Sequence, residues 1–113
     1  MATWTKSDLA DRVLEYIGVK PAGQPAFAEH SILVQGAFDS VYDRGKDSGT
    51  SPYNPEAIPE WAQWPLVRYL AFEVGPRFGK MYPVEMRNDA KQEMAASIFG
   101  GPRGALPTKS KDY

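Results

Sequence analysis

Thr5-Lys6-Ser7-Asp8-Leu9-Ala10-Asp11-Arg12-Val13-Leu14-Glu15-Tyr16-Ile17-Gly18 is a helix written with both of its ends. The Thr5 hydroxyl can cap the first turn. Asp8, three residues on, can answer it or sit favourably beside the positive end of the helix dipole. Leu9, Val13, Leu14 and Ile17 then fall on one face. Gly18 stops the run, because glycine enters the left-handed region without a Cβ penalty. The spacing predicts a helix over residues 6–17.

The same pattern continues outward. Residues 19–24 hold Pro21 and Gly23 and read as a connector. Pro25 suits the first turn of a second helix, in which Phe27, Ser31, Val34, Phe38 and Val41 recur at helical spacing over residues 26–43, with Ile32, Ala37 and Tyr42 widening the stripe. Gly36 inside it costs about 1 kcal/mol relative to alanine, a cost that close packing against another helix would explain. Residues 44–57 carry Gly45, Gly49, Pro52 and Pro55 without hydrophobic periodicity and read as the main loop, a length usually kept for function. Pro59 opens a third helix. Pro65 predicts a kink or a short separate turn within it, and Leu66, Val67, Tyr69, Leu70 and Val74 give it a strong apolar face. Gly75-Pro76 ends or bends it. Pro83 starts a last helix with Met86, Ala90, Met94 and Ile98 in one i, i+4 row, closed by Gly100-Gly101-Pro102. No strand-like alternation is long enough to build a sheet. The expectation is an all-α fold: a small four-helix bundle with a long central loop over residues 1–99, and an extended C-terminal tail over residues 100–113.

Composition agrees with one such domain. The chain has 113 residues, of which 42% are hydrophobic and 24% charged, so a soluble globular body is expected. Its net charge of −1 argues against a dedicated nucleic-acid-binding domain, whose affinity rests on clustered Lys and Arg. Cysteine is absent, so there is neither a disulfide framework nor a thiolate metal site, which fits a reducing compartment such as a bacterial cytoplasm. No apolar run approaches the ~18 residues that span a bilayer, and the N-terminus lacks a signal-peptide core. Neither membrane insertion nor secretion is expected.

The search for chemistry finds no convincing constellation. The sole histidine, His30, sits beside Glu29 and Ser31, but sequence neighbours diverge by about 100° around a helix, so these three are not a preformed triad. Asp39 with Asp43, and Glu56 with Glu60, read as solvated charge more readily than as acid–base pairs. No His or Cys cluster, calcium loop or phosphate-cradling glycine motif is present. The expectation is therefore a protein that docks rather than catalyses, with no metal and no cofactor.

Surfaces for docking are easier to find. On the last helix, Glu85, Asp89 and Glu93 form an acidic row, and Arg87 and Lys91 form a basic row about 200° away, with Met86, Ala90 and Met94 between them. Like charges at i, i+4 do not favour a lone helix. Two unlike edges suit a head-to-tail ring, in which different patches meet at every interface. The plainer reading is a core-facing stripe with two solvated flanks. Trp61 and Trp64, beside Pro65, are either core or an exposed anchor of the kind enriched at binding hot spots. The tail offers Arg103, Lys109 and Lys111 as basic groups, with Leu106 and Tyr113 as apolar anchors. It is either a frayed terminus or a segment that orders on a partner.

Two stretches carry a family resemblance. Thr5-Lys6-Ser7-Asp8-Leu9 with Val13-Leu14-Glu15-Tyr16-Ile17-Gly18-Val19 resembles the start of phage head-to-tail adaptor proteins, the connector or packaged-DNA stabilisation family of tailed phages. Residues 65–79, Pro65-Leu66-Val67-Arg68-Tyr69-Leu70-Ala71-Phe72-Glu73-Val74-Gly75-Pro76-Arg77-Phe78-Gly79, are similar to that family's helix with a Leu-Ala core and an aromatic-Gly close. The resemblance covers roughly residues 5–99. It implies a helical bundle assembled as a homo-oligomeric ring, commonly of twelve copies, under the portal. It also implies a C-terminal segment docked on the portal protein, a tail or nozzle protein added below, and retention of packaged DNA that passes through the channel without sequence-specific binding. The location implied is the head–tail junction of the virion, after synthesis in the bacterial host cytoplasm. Near-neutral charge agrees with a channel along which DNA must slide. The alternative is a small helical regulatory or nucleic-acid-binding module. Against it, the second helix offers only Gln35 before its C-terminus, where a recognition helix would carry several Arg, Lys, Asn or Gln.

Overall fold

The computed structural model describes residues 3–21, 23–49 and 51–99. Its elements are four helices, α1 (Lys6–Tyr16), α2 (Ala28–Ser48), α3 (Glu60–Val74) and α4 (Val84–Phe99), with a 3₁₀ turn at Gly75–Phe78 between the last two. No strand is formed among the described residues. The only bridges in extended backbone there are isolated ones, Trp4 with Ile58 and Asn54 with Ala57.

α1 forms as its sequence dictates. The Thr5 hydroxyl accepts from the Asp8 N–H at 3.1 Å, and the Asp8 carboxylate accepts from the Thr5 N–H at 3.1 Å, so two otherwise orphaned donors are satisfied reciprocally. At the other end Gly18 adopts φ +79°. The Val19 N–H then reaches the Leu14 carbonyl and the Gly18 N–H reaches that of Glu15, the paired bonds of a Schellman close. Leu9, Ala10, Val13, Leu14 and Ile17 are buried.

α2 departs from the sequence expectation at both ends. It begins at Ala28 rather than at residue 26 and continues to Ser48, so the central loop starts at Gly49 and not at Arg44. The reason lies in packing. The buried row Val34–Phe38 continues through the half-buried Val41 and Tyr42 to Gly45, which is buried as well. With no side chain there, the returning loop can approach, and the Ser51 N–H bonds to the Gly45 carbonyl at 3.2 Å. Lys46 lays its ammonium 5.5 Å from the Tyr42 ring, supporting the added turn. Gly49, at φ +82°, ends it. Gly36 also differs from expectation. It is exposed, and a Cβ placed there would meet nothing within 4 Å, so close packing within this chain does not explain it.

The loop that follows is part of the core rather than a peripheral appendage. Ile58 is fully buried and its backbone pairs with Trp4, N–H to carbonyl at 2.7 and 3.1 Å. Its carbonyl also accepts from the buried Gln63 side chain at 3.2 Å. Asn54 turns the chain by accepting from the Glu56 N–H at 2.8 Å.

α3 is the axis of the bundle. Ala62, Gln63, Pro65, Leu66, Val67, Leu70, Ala71 and Val74 are all buried, so it is covered on most of its circumference, as a helix apolar on most sides must be. α1, α2 and α4 all pack on it, and α1 also packs on α2. Pro59 precedes the helix, and Pro65 lies inside a single helical run with no separate turn. It removes one donor, the one that would reach the Trp61 carbonyl, and its buried ring compensates by packing. Gly75 ends α3 because nothing larger fits: a Cβ there would stand 2.7 Å from the Lys80 carbonyl and 3.0 Å from the Tyr82 ring. The reversal sends α4 back antiparallel along α3, burying Ala90 and Met94.

Candidate interaction surfaces

Each of the two charged rows of α4 is partly used within the chain, in contacts with one face of α3. On the acidic side, the Glu93 carboxylate accepts from the Arg68 guanidinium. Glu85 and Asp89 are exposed and form no ion pair among the described residues. On the basic side, the Arg87 guanidinium lies 5.2 Å from the Phe72 ring centre, and its Nε is buried without a hydrogen-bond partner. Lys91 is exposed. It borders a hollow of about 440 Å³ lined by Val41, Arg44, Tyr69, Met94 and Ala95, where α2, α3 and α4 converge. The structure thus separates the five charges that the sequence groups. Arg87 and Glu93 help hold α4 on α3, and Glu85, Asp89 and Lys91 face outward.

The two tryptophans of α3 are placed differently. Trp64 is 49% exposed, its ring meeting Trp4 edge-on at 5.5 Å. The Arg12 guanidinium also lies over the Trp4 ring, 5.5 Å from its centre. Trp61 is half-buried and ends a chain of ring contacts, Phe38–Tyr42–Tyr53–Trp61, at 5.5–5.9 Å. Burial pushes the Tyr53 hydroxyl above its ordinary value, against a hydrogen bond with Ser51 that lowers it. Tyr42 donates to the Tyr53 carbonyl at 2.8 Å, fastening loop to helix.

His30 is held edge-on between Phe27 and Phe78, at 5.4 and 5.0 Å. Of the carboxylates considered for acid–base work, Asp39 pairs with Lys6 at 3.4 Å. Among the described residues no group of three or more His, Asp or Glu is close enough to hold a metal, and no helix is long and apolar enough to cross a membrane. Another charge contact escapes the sequence altogether. Lys20 is buried, donating to Glu15 at 3.0 Å and to the Pro21 carbonyl at 3.2 Å. The hydrogen bond from Lys20 holds the Glu15 carboxyl below its usual value, outweighing the opposing effect of burial.

Two residues that helical spacing assigns to the apolar stripe of the second helix, Phe27 and Ile32, are instead exposed, at 72% and 69%, and so is Met81, at 80%, which no periodicity marks. Ile32 falls in the helical pattern of α2, and only the direction of the core reveals that it points away. The tail residues Arg103, Leu106, Lys109, Lys111 and Tyr113 lie outside the described residues. The fold and these surfaces define a small all-α bundle with unlike charged flanks. No protein-family model, curated protein or solved structure matches the chain.

Proposed function

We propose that this chain is a structural head-to-tail adaptor of a tailed phage, one subunit of a ring seated under the portal. It joins the DNA-filled head to the tail, helps retain packaged DNA, and works by docking without catalysis. The observation that carries the reading is the pair of unlike flanks on α4. Glu85 and Asp89 stand exposed on one side, and Lys91 stands exposed on the other, beside Arg44 and an open apolar hollow. Patches of opposite character on opposite sides of one element are what a heterologous, closing interface uses. The resemblance of residues 5–19 and 65–79 to the adaptor family supplies the identity of the partners: the portal protein above, a tail or nozzle protein below, and other copies alongside. In this reading the protein is made in the bacterial host cytoplasm and resides at the head–tail junction of the virion.

The test is native mass measurement of the purified protein mixed with a portal ring. The expected result is addition of about twelve copies per portal, weakened when Glu85 and Asp89 are both changed to lysine. Full assembly by that charge-reversed variant would remove α4 from the interface. No added mass, together with tight salt-sensitive binding to duplex DNA, would overturn the adaptor reading in favour of the regulatory or nucleic-acid-binding module.

A further inference from the structure

Trp64 is 49% exposed, although it stands on the central helix with the Trp4 ring edge-on against it. A large apolar area is thus held in water at a fixed position. Glu60, one turn earlier on α3, is exposed as well. One turn later on the same stripe, Arg68 already holds Glu93 of α4. This side of the molecule is an aromatic knob with a carboxylate beside it.

The far side of α3 is its converse. Tyr69 follows Trp64 by five residues, which places it about 140° around the helix and only ~7.5 Å along it. Tyr69 lines the hollow of about 440 Å³ between α2 and α4, together with Val41, Met94 and Ala95. Arg44 and Lys91, both exposed, border it, and among the described residues no carboxylate does. The hollow has the size of a small-molecule pocket, ample for one indole ring.

We infer that Trp64 of one copy of the chain inserts into the Tyr69 hollow of the next, with Glu60 drawn toward Arg44 and Lys91. Aromatic ring meets apolar lining, and acid meets base. Tryptophan seated in a pocket is a preferred anchor of protein interfaces, and a complementary charged rim fixes its orientation. Because knob and socket lie on nearly opposite faces, the contact is heterologous, and a joined pair keeps one of each free for further copies. The inference names the lateral contact of the ring proposed above and rests on that reading for closure into a ring, whereas association through Trp64 belongs to the chain without a portal.

The experiment is sedimentation velocity on the full-length chain from about 1 µM to about 1 mM, a span that captures weak self-association. The expected result is reversible growth beyond the monomer as concentration rises. Trp64→Ala removes the knob, and Ala95→Phe fills the socket while leaving Trp64 in place. Each variant alone stays monomeric at unchanged far-ultraviolet circular dichroism. An equimolar mixture of the two forms a dimer and nothing larger, because one intact socket meets one intact knob. A mixture that stays monomeric would overturn the inference. So would association of Ala95→Phe alone, which would show copies meeting elsewhere than in the hollow, and so would a wild-type chain monomeric at every concentration. The portal measurement is separate: copies that add to a portal yet never associate through Trp64 keep the adaptor reading and reject this contact. Glu60→Lys weakens wild-type association about tenfold at low salt, and an unchanged affinity rejects the charge pairing.

Discussion

α1, of 11 residues, and α4, of 16, pack on the same central helix, yet they are held in different ways. α1 touches both α2 and α3, buries five apolar side chains including the adjoining Ile17, and is closed by a capping box and a Schellman turn. α4 rests chiefly on α3, buries only Ala90 and Met94 among the residues whose burial is described, and leans on contacts at its flanks, Glu93 with Arg68 and Arg87 with Phe72. The ion pairs differ in the same sense. Lys20 of the α1 pair is 6% exposed, and Glu93 of the α4 pair is 54% exposed. The difference separates two jobs. α1 closes the core, and α4 is a strut with a narrow footing whose outer side chains Glu85, Asp89 and Lys91 stand in solvent.

The largest expected effects test that contrast directly. Leu14→Ala in α1 should cost about 3 kcal/mol in urea unfolding, through lost burial and a residual cavity. Met94→Ala should cost clearly less, because the hollow beside Met94 is open and lets water and side chains readjust. Equal losses would mean that α4 belongs to the core as fully as α1 does. Gly75→Ala should cost about 2 kcal/mol, since the added Cβ meets the Lys80 backbone carbonyl and displaces the turn that returns α4. An unchanged melting midpoint would show that the turn yields freely.

Glu15→Gln should destabilise by about 1 kcal/mol at neutral pH, leaving the Lys20 ammonium with the Pro21 carbonyl as its partner. The pH dependence has a definite sign. Because Glu15 titrates below its ordinary value in the folded chain, its contribution is complete above that ordinary value of 4.5 and is lost as pH falls through the lowered folded one. The gap in stability between wild type and Glu15→Gln should therefore close in acid, a trend that denaturation curves at several pH values will reveal or refute. The smallest effect belongs to the α4 pair. A double-mutant cycle on Arg68 and Glu93 should give a coupling of about 0.5 kcal/mol, reduced by salt, as for an exposed ion pair. A coupling above about 2 kcal/mol would make this bond a principal anchor of α4.

The legibility of the chain follows the same division. Thr5, Asp8 and Gly18 specified α1 because each acts within four residues of itself. Gly45 misled, since a glycine followed by Gly49 and Pro52 reads as loop until the approach of Ser51 and Tyr53 is known. Ile58 gave no periodic signal, yet it is core, because the backbone of Trp4 reaches it across more than fifty residues. Of the candidate docking residues, the alternation of charge on α4 was visible in the sequence. Which charges remain outward was not, since Arg68 and Phe72 belong to another helix.

By itself, then, the sequence determined that the described residues form four helices, where α1 begins and ends, and that α4 carries acid on one side and base on the other. Hydrogen bonds and side-chain periods of three to four residues are local, and they survive without knowledge of neighbours. Tertiary structure alone decided that α3 is the axis, that Glu93 and Arg87 are used within the molecule, and that Trp64 stands half in water. Exposure is a property of what packs from elsewhere in the chain, and a linear pattern does not contain it.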